Sequence, residues 1–334
     1  MHPYLLSSAR LPWPVDWAAQ FGRAAPLAVE IGFGNGQFLL AMARERPYLN
    51  LIGLEISLPS LRKAERKLSR DGLPHARLVQ GGAESFFWTL CAPQTVSELY
   101  INFPDPWHKA GHHHRRLINE RFLHLIATRM PPGALLDIAT DHIDYAQAIT
   151  DCLQQSPYFH SRRSAPFVLE DTARVRTKYE QKALDDGRAC HYFKWQRSAT
   201  PAANAFPIPQ EFPMPHVVMR SPLTLDDVAR QFQPFYTATP TAEIKFIDLF
   251  RSTRHNNLLF ETYIHEEPLS QRLGLSLNAR RAGDWVLGLH EVGFPRPTAG
   301  LHQAVQTLAD WLVSLHPDTE IVNSTLVDWL NPQE

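Results

Sequence analysis

An acid stands two residues ahead of three alternating glycines in Glu30-Ile31-Gly32-Phe33-Gly34-Asn35-Gly36. Glycines at that spacing let a backbone turn sharply and approach a ligand closely beside a helix N-terminus. A second acid, Glu55, follows Gly36 by 19 residues, where a carboxylate ending the next strand accepts hydrogen bonds from ribose hydroxyls. A dinucleotide turn would read GxGxxG, but here the third glycine comes one residue early. ExGxGxG with an acid closing the second strand fits S-adenosylmethionine better than NAD, because no pyrophosphate needs cradling and Glu30 can help hold the cationic methionine end. Gly32, Gly34, Gly36, Glu30 and Glu55 are therefore candidate cofactor contacts. The plainer alternative is a tight strand–helix turn that binds nothing.

A second segment with chemistry is Asn102-Phe103-Pro104-Asp105-Pro106-Trp107-His108-Lys109. Two prolines flank and stiffen Asp105. The run Gly111-His112-His113-His114-Arg115-Arg116 then supplies donors suited to phosphate. The bland alternative is a proline-rich surface loop with a solvated basic end. No metal centre is expected from His108, His112, His113 and His114, because neighbouring histidines cannot all converge on one ion.

These segments need a scaffold that brings strand ends together. Apolar runs predict strands at 27–31, 50–55, 76–79, 99–103 and 134–139, with helical patterns at 37–46, 58–69 and between the later strands. Such alternation implies βαβ units and a mostly parallel, doubly wound α/β sheet. In such a sheet the ligand lies beyond the carboxyl ends of the strands, so Asp105 should face it. After residue 216 the pattern changes. A helix at 225–235, closely spaced strands at 244–250, 258–265, 273–278 and 285–289, and an amphipathic helix through Leu301, Ala304, Val305, Leu308 and Leu312 suggest a small α+β domain.

Composition agrees with two domains in 334 residues, of which 44% are hydrophobic and 20% charged. A net charge of −1 excludes a uniformly basic nucleic-acid binder and an acidic disordered tail protein. The total hides an asymmetry, however. Residues 1–198 carry 24 basic and 19 acidic side chains, a net of +5, whereas 199–334 carry 9 and 15, a net of −6. Pro201, Pro207, Pro209, Pro213 and Pro215 mark the changeover, giving a catalytic domain at 1–198, a semi-rigid linker at 199–215 and an accessory domain at 216–334. No apolar run reaches membrane-spanning length. The first 17 residues do not resemble a signal peptide. Cys91, Cys152 and Cys190, three and far apart, suggest a reducing cytoplasm rather than disulfides.

Four blocks, in order and spacing, resemble the bacterial tRNA (guanine-N7-)-methyltransferase family. They are the glycine turn, Phe103-Pro104-Asp105-Pro106-Trp107 with Lys109 and the basic run, Ala139-Thr140-Asp141, and Thr177-Lys178-Tyr179-Glu180. The resemblance spans about residues 25–197. It implies a Rossmann-like class I methyltransferase fold and S-adenosylmethionine-dependent methylation of the variable-loop guanosine of tRNA. Carried over by position, Glu30, Glu55 and Asp105 match cofactor contacts, and Asp105 also matches the catalytic residue. Lys109, Asp141, Thr177, Lys178, Tyr179 and Glu180 match substrate-binding positions, and Gly111, His112, His113, His114, Arg115 and Arg116 match the RNA-contacting loop.

Two departures stand out. The family usually has an acid after the third strand, near the adenine, where this chain has Gly81-Gly82-Ala83-Glu84. Gly82, Ala83 and Glu84 are the candidates there, through Glu84 or a backbone amide. The basic loop is also diluted by Gly111 and His114. Beside the substrate motif, Arg162, Arg163, Arg174, Arg176 and Lys178 are candidates for the tRNA backbone, while Arg62, Lys63, Arg66, Lys67 and Arg70 read as a solvated helix face. The acidic C-terminal domain should repel tRNA, which suggests a structural or oligomer-forming role such as a homodimer interface, with a role in tRNA selection as the alternative. Two other functions stay open: a methyltransferase for another RNA or a small molecule, and a non-catalytic RNA-binding relative.

Overall fold

Strand and helix alternate from the start of the first half, as the apolar runs require. A computed structural model describes residues 4–172, 174–280, 284–290 and 295–327. The chain divides into two units, Met1–Ile208 and Pro209–Glu334. In order, the first contains β1 (Leu5–Ser7), α1 (Trp17–Phe21), β2 (Leu27–Ile31), α2 (Gln37–Glu45), β3 (Asn50–Glu55), α3 (Leu58–Asp71) and β4 (Ala76–Gln80). Then come α4 (Ala83–Ser85), which runs into a π-helical turn at Phe86–Leu90, β5 (Val96–Asn102) and a 3-10 turn at Ala110–Arg115. The unit ends with α5 (Glu120–Arg129), β6 (Leu135–Thr140), α6 (Ile143–Gln155), β7 (Phe159–Ser161), α7 (Lys178–Asp185) and β8 (His191–Arg197).

The eight strands lie in the order β1-β4-β3-β2-β5-β6-β8-β7. Pairing is parallel from β1 through β6, and β8 and β7 add antiparallel. The chain winds outward from β2 through β3 to β4, then crosses back to β5 beside β2. That reversal opens a crevice beyond the carboxyl ends of β2 and β5. Adjacent strand residues feed opposite cores. Ala28, Leu51 and Leu78 pack with α2 and α3, while Val29, Ile52 and Val79 pack on the other face with α1, α5 and α6. A sheet covered on both faces explains the continuous apolar strand sequences.

The expected strands at 27–31 and 50–55 are β2 and β3, and those at 76–79, 99–103 and 134–139 differ from β4, β5 and β6 by one to three residues at an end. The short β1 and β7 and the antiparallel β8 carry no comparable signal, because each relies on a neighbour rather than on its own apolar run.

The second unit holds β9 (Val217–Arg220), α8 (Leu225–Gln231), β10 (Phe235–Ala238), β11 (Glu243–Arg251), β12 (Asn257–Glu266), β13 (Leu269–Ala279), β14 (Asp284–Leu289), α9 (Ala299–Ser314) and β15 (Glu320–Ser324). They build one antiparallel sheet, β10-β11-β12-β13-β14-β9-β15. Burial alternates along β12, so Leu258, Phe260, Thr262 and Ile264 point inward. The two helices bury Leu225, Val228, Leu301, Leu308 and Leu312 in the same core. The helix expected at 225–235 stops at Gln231, and Phe235 begins a strand instead, because Pro234 bars the helix from continuing.

The proline-rich segment belongs to both units in turn. Phe206 is buried and packs edge-on against Trp88 at 5.0 Å. The fully buried Arg129 donates to the carbonyls of Phe87, Trp88 and Phe206, and Trp88 Nε1 donates to the Pro207 carbonyl at 2.7 Å. Farther on, the Pro213 carbonyl bonds the His302 ring within the second unit.

Candidate active site

Three backbone turns with positive φ, at Gly32 (68°), Gly34 (53°) and Gly36 (73°), carry the chain from β2 into α2. Side chains other than glycine are strained in that region. Gly53 on β3 has a different reason to be small: a Cβ there would meet Leu39 Cδ2 at 2.5 Å and Phe33 Cδ1 at 2.7 Å. The close approach lets the turn lie against β3. Glu55, at the end of β3, clamps it from the other side. Its carboxylate accepts from Gly34 N–H at 3.0 Å, Ile56 N–H at 2.8 Å and Ser57 N–H at 3.0 Å.

A cleft of about 440 Å³ opens above these strand ends, and Gly32, Gly34, Glu55, Gly82, Ala83 and Asp105 help line it. Glu30, on β2 and only 1% exposed, is not part of that lining; it lines a small pocket that shares Gly32, Asn102 and Tyr179 with the cleft. Its Oε1 accepts from Asn102 Nδ2 at 2.9 Å, and its Oε2 has no partner. Burial pushes this carboxyl up to about 7, against the opposing pull of the Asn102 hydrogen bond and the Arg174 charge. A buried carboxylate oxygen without a donor, beside a glycine turn, suits the cationic end of S-adenosylmethionine. Glu55 at the rim suits its ribose.

Asp105 is exposed at the cleft mouth. The segment that carries it is braced: Phe103 N–H donates to the Ala139 carbonyl at 2.8 Å, and Arg116 Nε donates to the Pro106 carbonyl at 2.9 Å. Phe103 and Trp107 hold φ of 52° and 47°, rare values for bulky residues. The Arg115 guanidinium lies 5.1 Å from the centre of the Trp107 ring and also lines the cleft, while His112 meets that ring edge-on.

The other candidates divide by exposure. Lys109, Gly111, His113 and His114 are exposed beyond the cleft lining. Arg116 is buried over the Tyr145 ring and braces the Asp105 segment through the Pro106 carbonyl. Asp141 is paired with Arg188. Thr177 and Glu180 form the capping box that starts α7; Glu180 is buried and accepts from the Tyr192 hydroxyl at 2.9 Å. Between them Lys178 and Tyr179 face outward, and Tyr179, 63% exposed, lines the cleft. Glu84 turns to Arg121 at 2.8 Å and is not among the cleft-lining residues, whereas Gly82 and Ala83 are.

Two site residues escape the motif reading. Asn102 lies inside a recognised segment without a role of its own. Arg174, a candidate for the tRNA backbone, is instead buried under the site. The signal for it is Asp137, an acid inside the apolar run Leu135-Leu136-Asp137-Ile138, which demands a buried cation. On α3, Lys67 is tethered to the Asn35 carbonyl at 2.8 Å and Arg70 pairs with Asp71, so that face is only partly free. Among the described residues no cluster of three or more His, Cys, Asp or Glu could hold a metal ion, and no helix is long and apolar enough to cross a membrane.

A family model described as "Putative methyltransferase" matches residues 24–193. The chain is 40% identical over 184 residues to a tRNA (guanine-N(7)-)-methyltransferase of Mycolicibacterium paratuberculosis, a match covering 55% of this chain and 71% of that one. Longer matches reach into the second unit. A protein of the same name from Thermus thermophilus is 31% identical over 315 residues, covering 92% of this chain and 96% of the relative. One from Deinococcus radiodurans is 30% identical over 292 residues, covering 86% and 89%. With the cofactor-type cleft, the exposed acid at its mouth and near full-length similarity to these enzymes, the chain belongs to the tRNA (guanine-N7-)-methyltransferase family.

Proposed function

We propose that the first unit transfers a methyl group from S-adenosylmethionine to N7 of the variable-loop guanosine of tRNA, with Asp105 as its catalytic residue. The observation that carries this reading is the Asp105 carboxylate, exposed at the mouth of the cleft at the β2–β5 reversal. Glu30, Glu55 and the glycine turn hold the cofactor, with the backbone at Gly82 and Ala83 beside the base. Lys178, Tyr179, Lys109 and Arg115 meet the RNA.

The cofactor supplies an electrophilic methyl on a sulfonium. Guanine N7 has a free lone pair and no proton, so no general base is needed to expose it. As the N7–carbon bond forms and the carbon–sulfur bond breaks, the positive charge passes to the base and a neutral thioether leaves. Holding the reacting atoms about 3 Å apart and in line supplies much of the rate. A fixed carboxylate stabilises the charge that develops on guanine. Asp105 therefore acts by position and charge and moves no proton.

Asp105→Asn is expected to lower methylation of unmodified tRNA by about 10²–10³-fold, the usual loss when one preorganised electrostatic group is removed, while cofactor binding persists. Near-normal turnover would sink the assignment. Mapping the modified base separates N7 of the variable-loop guanosine from any other target.

A further inference from the structure

Arg174 lies in the segment before α7, its side chain only 1% exposed. The guanidinium rests between Phe38, 4.9 Å from the ring centre, and Tyr192 at 5.8 Å. It donates to Asp137 Oδ1 at 2.6 Å and, by another nitrogen, to Asn102 Oδ1. Its Nε stands 3.6 Å from Glu180 Oε2. The partners thus come from β6, β5 and α7.

The chemistry of the donors dictates what this does to Asn102. A guanidinium has donors only, so the amide must turn its oxygen towards Arg174. The nitrogen end then faces the other way, into Glu30, where the 2.9 Å hydrogen bond is found. Arg174 on one side and the Glu30 carboxylate on the other favour the same amide orientation, so loss of Arg174 leaves Glu30 alone to hold it among the described partners of Asn102. We propose that Arg174 is a positioning residue of the methyl-transfer site, fixing the Asn102 amide so that Glu30 is oriented towards the cofactor. The same guanidinium touches the capping box of α7, so the cofactor carboxylate and the helix bearing Lys178 and Tyr179 share one bracket. The proposal rests on the reading of Glu30 as a cofactor contact, and the test treats that reading separately.

The full chain carrying Arg174→Gln, Asn102→Leu, both, or Glu30→Gln is titrated with S-adenosylmethionine and with S-adenosylhomocysteine across pH, alongside melting curves. Arg174→Gln and Asn102→Leu are each expected to weaken binding by about 10-fold, as for a misdirected buried hydrogen bond. The double variant should bind no worse than the weaker single one, because both break the same chain of contacts. Asn102 and Arg174 favour the ionised Glu30, whereas Glu55 on β3 opposes it. Removing either aid should move the pH midpoint of binding upward, which a purely structural role would not do. Wild-type affinity and pH midpoint in Arg174→Gln, with only the melting temperature lowered, would overturn the proposal. If Arg174→Gln fails to fold, Asn102→Leu decides it by the same midpoint. Unchanged affinity in Glu30→Gln would instead remove the underlying reading.

Discussion

The two units differ in which polar groups they bury. In the first, a parallel sheet enclosed on both faces gathers Glu30, Asn102, Asp137, Arg174 and Glu180 at its carboxyl end, all buried and largely bonded to one another. In the second, an antiparallel sheet lays a core of Phe246, Leu258, Phe260, Leu275 and Leu308 against two helices; ion pairs such as Arg220–Asp284 and Arg272–Glu261 lie towards solvent, and the buried Arg296 is held by Glu211 and Gln271. In the first unit a cluster of expensive buried charge, Glu30, Asp137, Arg174 and Glu180, lies beside the candidate site. The contrast places the candidate site in the +5 half, whereas the −6 half has a separate core of its own.

The largest expected effect that could break this contrast comes from the cores. Phe260→Ala should cost the second unit about 3–5 kcal/mol, seen by calorimetry, while kcat/KM for methyl transfer stays near wild type. A matching loss of activity would end the division of labour. Phe206→Ala should cost a similar amount in the first unit, because that ring belongs to its core. Truncation after residue 208 should therefore spare methylation, and truncation after residue 198 should not.

The next effect is in pH. Burial pushes the Glu30 carboxyl up to about 7, and only its ionised form attracts a cation. Cofactor affinity should fall by up to about 10-fold per pH unit below that point, and Glu30→Gln should flatten the dependence. The stability sign is the reverse of the usual carboxylate. A folded value raised from 4.5 to about 7 means that the folded chain holds the proton more tightly. This contribution is complete below the unfolded value and is lost as pH rises through 7. A melting temperature that instead rises between those pH values because of Glu30 would contradict its burial as a neutral acid.

The smallest effect is the sharpest comparison. Each unit has a capping box, Thr177–Glu180 on α7 and Thr224–Asp227 on α8. Replacing either threonine by alanine should cost about 1 kcal/mol. Only Thr177→Ala should also raise KM for tRNA, since α7 carries Lys178 and Tyr179.

Much of the first unit is legible in the sequence because β2 to β6 are apolar runs bounded by turn residues, and because the glycine turn and Asp105 are local features. What escapes is tertiary. Arg174 and Arg116 look like their exposed basic neighbours, and only the fold buries them under Asn102 and behind Pro106. Thr177 and Glu180 fit a substrate motif and a capping box equally well as letters; the Tyr192 hydroxyl and the Arg174 charge mark Glu180 as part of the framework. Glu84 is one side-chain direction away from the cleft, and Arg121 decides that direction.

Phe103 and Trp107, in their left-handed conformations, have an entropic consequence. Asp105 is held between two residues that each store on the order of 1–3 kcal/mol of backbone strain, and the backbone that carries it is set before any RNA arrives. Little freedom remains for this stretch of backbone to lose at encounter, so binding is not weakened by ordering it. The strain is met by the folding of the whole unit. Changes that soften this segment should therefore move stability and turnover in opposite directions, a more stable chain with a less directed acid.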